Sequence, residues 1–549
     1  MSPTPGILYV TMQPDPRLPT PQFHDWYNNE HGPGRLRLPF CLNGFRYRAS
    51  DLQSSSSSSS PRSGSSPSGG GSKEKPEWMA IYDIEDMEWL TKDVYTRLRK
   101  EPVQSQRERD TMKQISVDRR FYDAVSETRA EGWEGLDGVK REGEGNVMVA
   151  TYASTEPGES DLESVKQLAG WRRTRVFVTS YLDIKDGKAK EWMTLHEFAP
   201  GVSTPASKAD ERQRTYELYY TFGPAPRDLA SLASKDAIPA ESTDGRTKTT
   251  PSHVSSSPAE QKKHPSISSY ITTPDGVELP YTLTGSADPN APLLVLINSI
   301  LTTPSIWTSF TEHFLSISPE YRILSYATRG RSTLPAHSLS PVTVDTLAVD
   351  VVTLLDALRV PSAALVGVSL GGATALNAAL TFPDRISAVV PCDTNSVAPA
   401  GNAKAWGDRI AMCEREAAVS GPNNDEPIVG QDLAEATVRR WFVAESYADP
   451  RLASNIEDVK QMVATNSLAG FRASVNALYQ YDFRPRMKDF EGSAAFLVGA
   501  GDGVLPKTMR EMADGLGDGV ELKSIEGAGH LPMVERPSEV AEFVARFLG

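Results

Sequence analysis

Two hydrophobic rhythms divide this chain. After about residue 267, short unbroken apolar runs alternate with helical stretches. GVELPYTLTGS, PLLVLINSI, YRILSYATRG, AALVGVS, ISAVVPCDT and SAAFLVGAGD read as strands, and PLLVLINSI is apolar on both faces, as in a sheet covered on both sides. TVDTLAVDVVTLLDAL sets Leu347, Val351, Leu354, Leu355 and Leu358 at helical spacing; GGATALNAALTFP reads as a helix stopped by proline, and PSEVAEFVARFL as a closing helix. Alternation of this length predicts a doubly wound, mostly parallel sheet. From Ser396 to about Phe490 the pattern turns helical and rich in Trp, Arg and Met, which predicts a helical cap over the sheet's carboxyl edge, about 396–490.

Before residue 230 the rhythm is mainly that of alternating strands, and it repeats. GILYVTM and NVMVATYA each open a half. GFRYRASD and TRVFVTSYLD follow, then EWMAIYDIED and EWMTLHEFAP, then ISVDRRFYDAV and TYELYYTF. With helical segments between, this predicts β-α-β-β-α-β twice, the second half having a shortened helix. That is the ferredoxin-like unit, two of which commonly close into an α+β barrel.

Composition adds boundaries. At 549 residues the chain is too long for one ordinary domain. Residues 54–72, SSSSSSSPRSGSSPSGGGS, are too polar to pack and predict a disordered insertion. Residues 231–266, polar and containing proline, predict a linker. The expected domains are therefore 1–230 and 267–549. A net charge of −14 without a basic stripe argues against nucleic acid as a partner. Three scattered cysteines, Cys41, Cys392 and Cys413, form no disulfide framework and no zinc pattern, which fits a reducing, cytoplasmic setting. No signal peptide and no apolar run of membrane-spanning length is evident, so no membrane is expected. No metal or cofactor is expected, and oligomeric state stays open.

The chemistry concentrates in the second module. In ALVGVSLGGATAL, Ser369 sits between Gly367 and Gly371 where a strand turns into a helix. A serine attacks a carbonyl only when exposed and served by a base. The Gly-x-Ser-x-Gly turn supplies exposure, its glycines letting the backbone double back. His530, in IEGAGHLPMVERPSEV, is the only histidine after residue 337 and follows a strand and two small residues, so it is the expected base. Asp502, just past the apolar run of FLVGAGDGVLP, is the expected carboxylate; Asp393, in VVPCDTN, is the rival. The order Ser369, Asp502, His530 is that of the α/β-hydrolase fold. The oxyanion donors are expected to be the N–H groups of Leu370 and, in LVLINSILTTPSIW, of Ile300.

These segments resemble the 3-oxoadipate enol-lactonases, which often carry Asn-Ser-Leu-Gly where this chain has Asn298-Ser299-Ile300-Leu301. YRILSYATRGRS, VVPCDT, RRWFVAESYADP and SLAGFRASVNALYQYDFRPRM also look like segments of that family's core and cap. Ala327, Arg331 and Leu301 depart from the family's aspartate, histidine and glycine, which leaves the substrate open. The resemblance implies a small-molecule ester or lactone substrate. Ser299, Arg329, Arg440 and Trp441 are the candidate substrate-binding residues, with Arg331 a further candidate anchor for a carboxylate.

In the first module, FHDWYNNEHGPGRLRLPFCLNGFRYRA resembles the EthD-like dimeric α+β barrels, where a histidine at the place of His31 often lies near the cavity. His24 and His31, seven apart, fall on one helical face, with no further ligands to suggest a metal. Three functions compete: a serine hydrolase of esters or lactones; a binding or assembly protein on a hydrolase scaffold, which an intact triad disfavours; and a barrel isomerase, cyclase or monooxygenase with an accessory hydrolase.

Overall fold

The computed structural model describes residues 3–36, 38, 40–52, 71–101, 104–133, 145–202, 205, 212–222, 226–242, 245–253, 264–335, 338, 341–421, 424–488, 490–517 and 519–549. Most of the serine-rich tract at 54–72 lies outside them. The chain forms two compact units, Met1–Lys263 and His264–Gly549.

In the first unit eight strands close into an antiparallel barrel: β1 (Gly6–Pro14), β2 (Cys41–Ala49), β3 (Trp78–Ile84), β4 (Ile115–Arg129), β5 (Val147–Ala153), β6 (Trp171–Thr179), β7 (Trp192–Phe198) and β8 (Arg212–Thr221). Their order around the barrel is β1-β3-β2-β8-β5-β7-β6-β4. Alternation sorts the side chains: Phe45 and Tyr47 of β2 join Ile7, Met79, Met148 and Leu195 in an apolar cluster drawn from all eight strands. The other face packs Val10, Ala80 and Tyr82 against Phe23, Trp26 and Tyr27 of the first helical segment. The second half departs from the expected element order. Its helical turn Tyr181–Ile184 falls between β6 and β7, and among the described residues no helix joins β7 to β8.

Part of the expected linker, residues 231–242 and 245–253, carries secondary structure. They carry a helical turn at Ser231–Ala233 and the hairpin β9 (Ala240–Glu241) and β10 (Lys248–Thr250). Leu232 and Thr249 are buried. Apolar residues were too sparse here for periodicity to reveal the pairing.

The second unit holds β11 (Ser266–Thr272), β12 (Glu278–Gly285), β13 (Leu293–Ile297), β14 (Arg322–Tyr326), β15 (Ala363–Val368), β16 (Ile386–Cys392), the ribbon β17 (Val419–Gly421) and β18 (Asn424–Pro427), then β19 (Ser493–Gly499) and β20 (Glu521–Ile525). Its sheet runs β20-β19-β16-β15-β13-β14-β12-β11. Strands β20 through β14 are parallel, and β12 and β11 are antiparallel. All five residues of β13 are buried, as its unbroken apolar run requires. The chain steps from β13 to β14 on one side and returns to β15 on the other, so a crevice opens where β13 and β15 end. Between β16 and β19 lie helices Asn402–Glu416, Gln431–Trp441, Ala453–Ala464 and Leu468–Val475. Among the described residues no helix is long and apolar enough to cross a membrane.

Candidate active site

Ser369 directly follows β15, as the first residue past Val368, and precedes the helix Leu370–Thr381. Its backbone is left-handed, at φ 59 and ψ −119, a conformation that costs a non-glycine residue about 1–3 kcal/mol. Three contacts hold it there: its N–H donates to the Cys392 carbonyl at 2.9 Å, and its own carbonyl accepts from Ala373 N at 3.0 Å and from Thr394 Oγ1 at 2.7 Å. The flanking glycines have steric reasons. A Cβ on Gly367 would lie 2.2 Å from the Gly371 carbonyl oxygen, and one on Gly371 would lie 2.3 Å from that of Ile297.

His530 and Asp502 leave the same carboxyl edge after β20 and β19. His530 Nδ1 and Asp502 Oδ2 are 2.7 Å apart, with side chains 12% and 15% exposed. A carboxylate accepts only, so Nδ1 is the nitrogen that donates to it. Burial opposes the Asp502 charge, but the His530 ring, through its charge and its hydrogen bond, then the Asp393 side chain and the charge of Arg440 hold its carboxyl below the usual range. The rival Asp393 is buried at the end of β16 with a left-handed φ of 43. Its Oδ1 accepts from Gly499 N at 2.9 Å. Burial, then the neighbouring Asp502 charge, raise its carboxyl well above the ordinary value. One atom each of Asp393, Asp502 and His530 lies within 4.8 Å of the others, close enough to consider a metal. The 2.7 Å contact is a hydrogen bond, shorter than the ~3.3 Å between ligands of one tetrahedral ion with ~2.0–2.1 Å bonds.

Glu535, which sequence reasoning missed, ties this histidine in place. Its Oε2 accepts from Gly529 N at 2.6 Å, and its Oε1 accepts from Ser446 Oγ at 2.6 Å and Val443 N at 3.2 Å. Its carboxyl is raised by burial. The His530 N–H donates to the Trp441 carbonyl at 2.7 Å, and the two rings stack at 5.4 Å.

A small cleft is lined by Ile300, Leu301, Thr302, Arg331, Leu370, Asn466, Phe471 and Ser474, among others. Both expected oxyanion residues, Ile300 and Leu370, border it. Leu370 opens its helix, so its N–H has no intrahelical acceptor. Leu301, where the resembling family has glycine, holds a left-handed φ of 67.

Several expected binding residues are placed otherwise. Ser299 is fully buried and absent from the cleft lining, because the Asn298 amide folds the loop over it by donating to the Ser299 and Thr302 carbonyls. Arg329 borders the cleft, but its guanidinium is committed internally. Nε and Nη2 reach both oxygens of Asp350 at 2.7 and 2.6 Å, and Nη1 and Nη2 both oxygens of Asp275 at 2.7 and 3.1 Å. Arg331 donates to the Met462 carbonyl, to Asn466 and to Thr465 in the cap. Trp441 is buried and supports His530. Arg440 alone of these arginines is exposed and has no ion pair among the described residues. Desolvation and the like charge of Arg409 lower it to about 10, against the attraction of Asp502.

In the first unit, His31 is buried with Nδ1 2.7 Å from Glu108 Oε1, while Trp26 Nε1 donates to Glu108 Oε2 at 2.8 Å. Burial, then Arg35, push its ring below the usual histidine range, against Glu108. A π-helical turn at Tyr27–His31 breaks the seven-residue spacing. His24 instead stacks on Tyr219 at 4.7 Å.

A strained serine turn, a histidine–carboxylate pair and a crevice at one sheet edge define a hydrolase of the α/β class. Comparison agrees: the family described as alpha/beta hydrolase fold matches residues 292–537, and the chain belongs to it. More narrowly, this half is related to 3-oxoadipate enol-lactonases. It is 30% identical over 270 residues to 3-oxoadipate enol-lactonase 2 of Acinetobacter baylyi, covering 48% of this chain and 91% of that protein. A pimeloyl-[acyl-carrier protein] methyl ester esterase of Xanthomonas campestris is 24% identical over 266 residues, 47% of this chain and 96% of that one. The enol-lactonase structure from Burkholderia xenovorans LB400 is 27% identical, covers 49% of this chain and 96% of that chain, and gives a TM-score of 0.43.

Proposed function

We propose that this protein hydrolyses a carboxylic ester or lactone through Ser369, His530 and Asp502, and that its natural substrate is an enol-lactone or a close analogue. The observation that carries this reading is the 2.7 Å His530–Asp502 hydrogen bond, at the sheet edge where Ser369 stands on its strained turn. His530 Nε2 takes the Ser369 proton as Oγ attacks the acyl carbon. The amides of Ile300 and Leu370 hold the oxyanion. The leaving alkoxide or enolate takes the proton back from His530, and water, activated by the same nitrogen, hydrolyses the acyl-enzyme. Asp502 stays ionised and stabilises the imidazolium. The substrate class rests on the relatives' names and on Arg440, a free cation near Asp502 suited to a substrate carboxylate.

Changing Ser369 to alanine is the direct test. Hydrolysis of 4-nitrophenyl acetate should fall by several orders of magnitude with circular dichroism unchanged. Retention of more than about a tenth of the activity would remove Ser369 from the mechanism.

The barrel we read as two ferredoxin-like units of the EthD-like kind, serving as an isomerase, cyclase or small-molecule-binding module. What favours this is the strand order, β4-β1-β3-β2 in one half and β8-β5-β7-β6 in the other.

A further inference from the structure

Behind the His530–Asp502 pair stands a second carboxyl group without an obvious partner for its charge. Asp393 is 1% exposed and ends β16, the strand beside β19, which leads to Asp502. Its backbone N–H donates to the Leu497 carbonyl at 3.1 Å, and its Oδ1 accepts from Gly499 N at 2.9 Å, three residues before Asp502. Asp393 Oδ2 is buried and meets no N–H or hydroxyl donor. What it faces is acidic: a carboxylate oxygen of Asp502 lies within 4.8 Å, with the Glu535 charge beyond. His530 lies within 4.8 Å, and Cys392, the preceding residue, is a buried neutral thiol.

Two carboxyl groups in such contact cannot both ionise, since like charges without water between them repel by far more than a proton costs to retain. The proton belongs on the group with less to lose. Asp502 has the His530 Nδ1–H and the Arg440 charge to stabilise its anion, whereas Asp393 has one backbone amide.

We propose that Asp393 is a positioning residue, a neutral carboxylic acid whose Oδ2–H donates to the Asp502 carboxylate and so fixes the acceptor that orients His530. This rests on the hydrolase reading only for its kinetic consequence. Gly499 and Asp502 stand on the two sides of one tight turn, so Asp393 holds the end of β19 by its backbone N–H to Leu497 and the turn beyond it by its carboxyl group.

Asparagine is the replacement that keeps both hydrogen bonds, its amide N–H₂ donating and its carbonyl accepting. Asp393→Asn should retain kcat within about threefold, whereas Asp393→Leu should lower kcat by about 10- to 100-fold with KM little changed, the scale for residues that orient a catalytic ligand. The protonation state is read independently of turnover. In an infrared difference spectrum of the full chain at pH 7, wild type minus Asp393→Asn, a protonated-carboxyl C=O band should appear. Glu535 is common to both proteins and cancels. An Asp393→Asn loss as deep as that of Asp502→Asn would make Asp393 the anionic partner and overturn the proposal, as would a carboxylate band in place of the protonated one. If wild type lacks esterase and lactonase activity altogether, the hydrolase reading fails, and the infrared band still decides the state of Asp393.

Discussion

Replacing Gly371 by alanine adds one methyl group where two backbones meet. The new Cβ would lie 2.3 Å from the Ile297 carbonyl oxygen and 2.7 Å from that of Asn298, both at the end of β13. Ordinary contact begins at 3.4 Å, so the β13 loop or the nucleophile's helix must retreat by about 1.1 Å. Neither can retreat alone, because β13 pairs with β15 in register, Ile297 against Gly367. The loop that moves carries Ile300, one of the two expected oxyanion donors. A displacement of ~1 Å between reacting groups costs ~100-fold in rate, and loss of one oxyanion donor ~100- to 1000-fold. Overpacking should also cost about 1–3 kcal/mol of stability. Steady-state hydrolysis of 4-nitrophenyl acetate should therefore show kcat lowered by ~100- to 1000-fold, alongside a depressed melting temperature. Gly515→Ala is the matched control: it lies in the helix Leu505–Leu516 with nothing within 4 Å of the added carbon. It should gain about 0.5–1 kcal/mol and leave kcat unchanged. A folded Gly371→Ala enzyme with kcat within threefold of wild type, about 0.65 kcal/mol of barrier, would refute the reasoning: the approach of the two backbones would not then set the oxyanion site.

Asp502→Asn should lower kcat by ~10,000-fold, since the amide favours the wrong imidazole tautomer; a loss below tenfold, checked with circular dichroism, would move the acid elsewhere. Arg440→Met should raise KM for a carboxylate-bearing lactone by roughly 10- to 100-fold, the scale of one charge-assisted contact, and leave neutral aryl esters unaffected; equal behaviour of both substrates would remove the carboxylate from the substrate's description. Glu30 gives a pH signature in the barrel unit. Burial raises its carboxyl to about 7 from 4.5, against Ser105 and Arg107, with 12% of the side chain exposed. A raised acid favours the fold below its unfolded value, and this contribution is lost as pH climbs through about 7, up to about 3 kcal/mol. Glu30→Gln should therefore gain in melting temperature relative to wild type between pH 5 and pH 8, and a relative fall over that range would contradict it.

What could be read from the sequence follows from how local each feature is. The turn around Ser369 is a matter of five residues, and its glycines answer to contacts with their own strand, their own helix and the adjoining β13. The strands of the second unit are unbroken apolar runs, so their identity survives without knowledge of their neighbours. Pairings across the chain are another matter. Arg329 was read as a substrate anchor because it sits on a loop beside the expected pocket, yet Asp275 and Asp350, 54 and 21 residues away, neutralise it. One signal was present: Asp350 interrupts the apolar stripe Leu347–Val351–Leu354 of its helix, and a carboxylate on a buried face requires a cation. Glu535 gave no such signal, since its partners are two backbone amides and the Ser446 hydroxyl. The π-helical turn before His31 was equally invisible, because one extra residue in a turn leaves the apolar pattern almost unchanged.

The same distinction separates chemistry from specificity in this molecule. The groups proposed to carry out the acyl transfer are fixed by short-range constraints: a strained turn, a histidine bonded to the residue three positions past a strand, an amide at a helix start. The groups proposed to choose the substrate depend on which charges remain after the interior has neutralised its own. Of the named arginines, Arg329 is balanced by two carboxylates and Arg331 is bound to the cap, while Arg440 stays exposed beside Asp502 and is lowered by desolvation and then by Arg409. An exposed arginine that also feels the like charge of Arg409, on a protein of net charge −14, is a local reversal of the molecule's sign. On the reading proposed above, this cation beside Asp502 is what favours a carboxylate-bearing substrate over a neutral ester, because only the former brings a charge to pair with it.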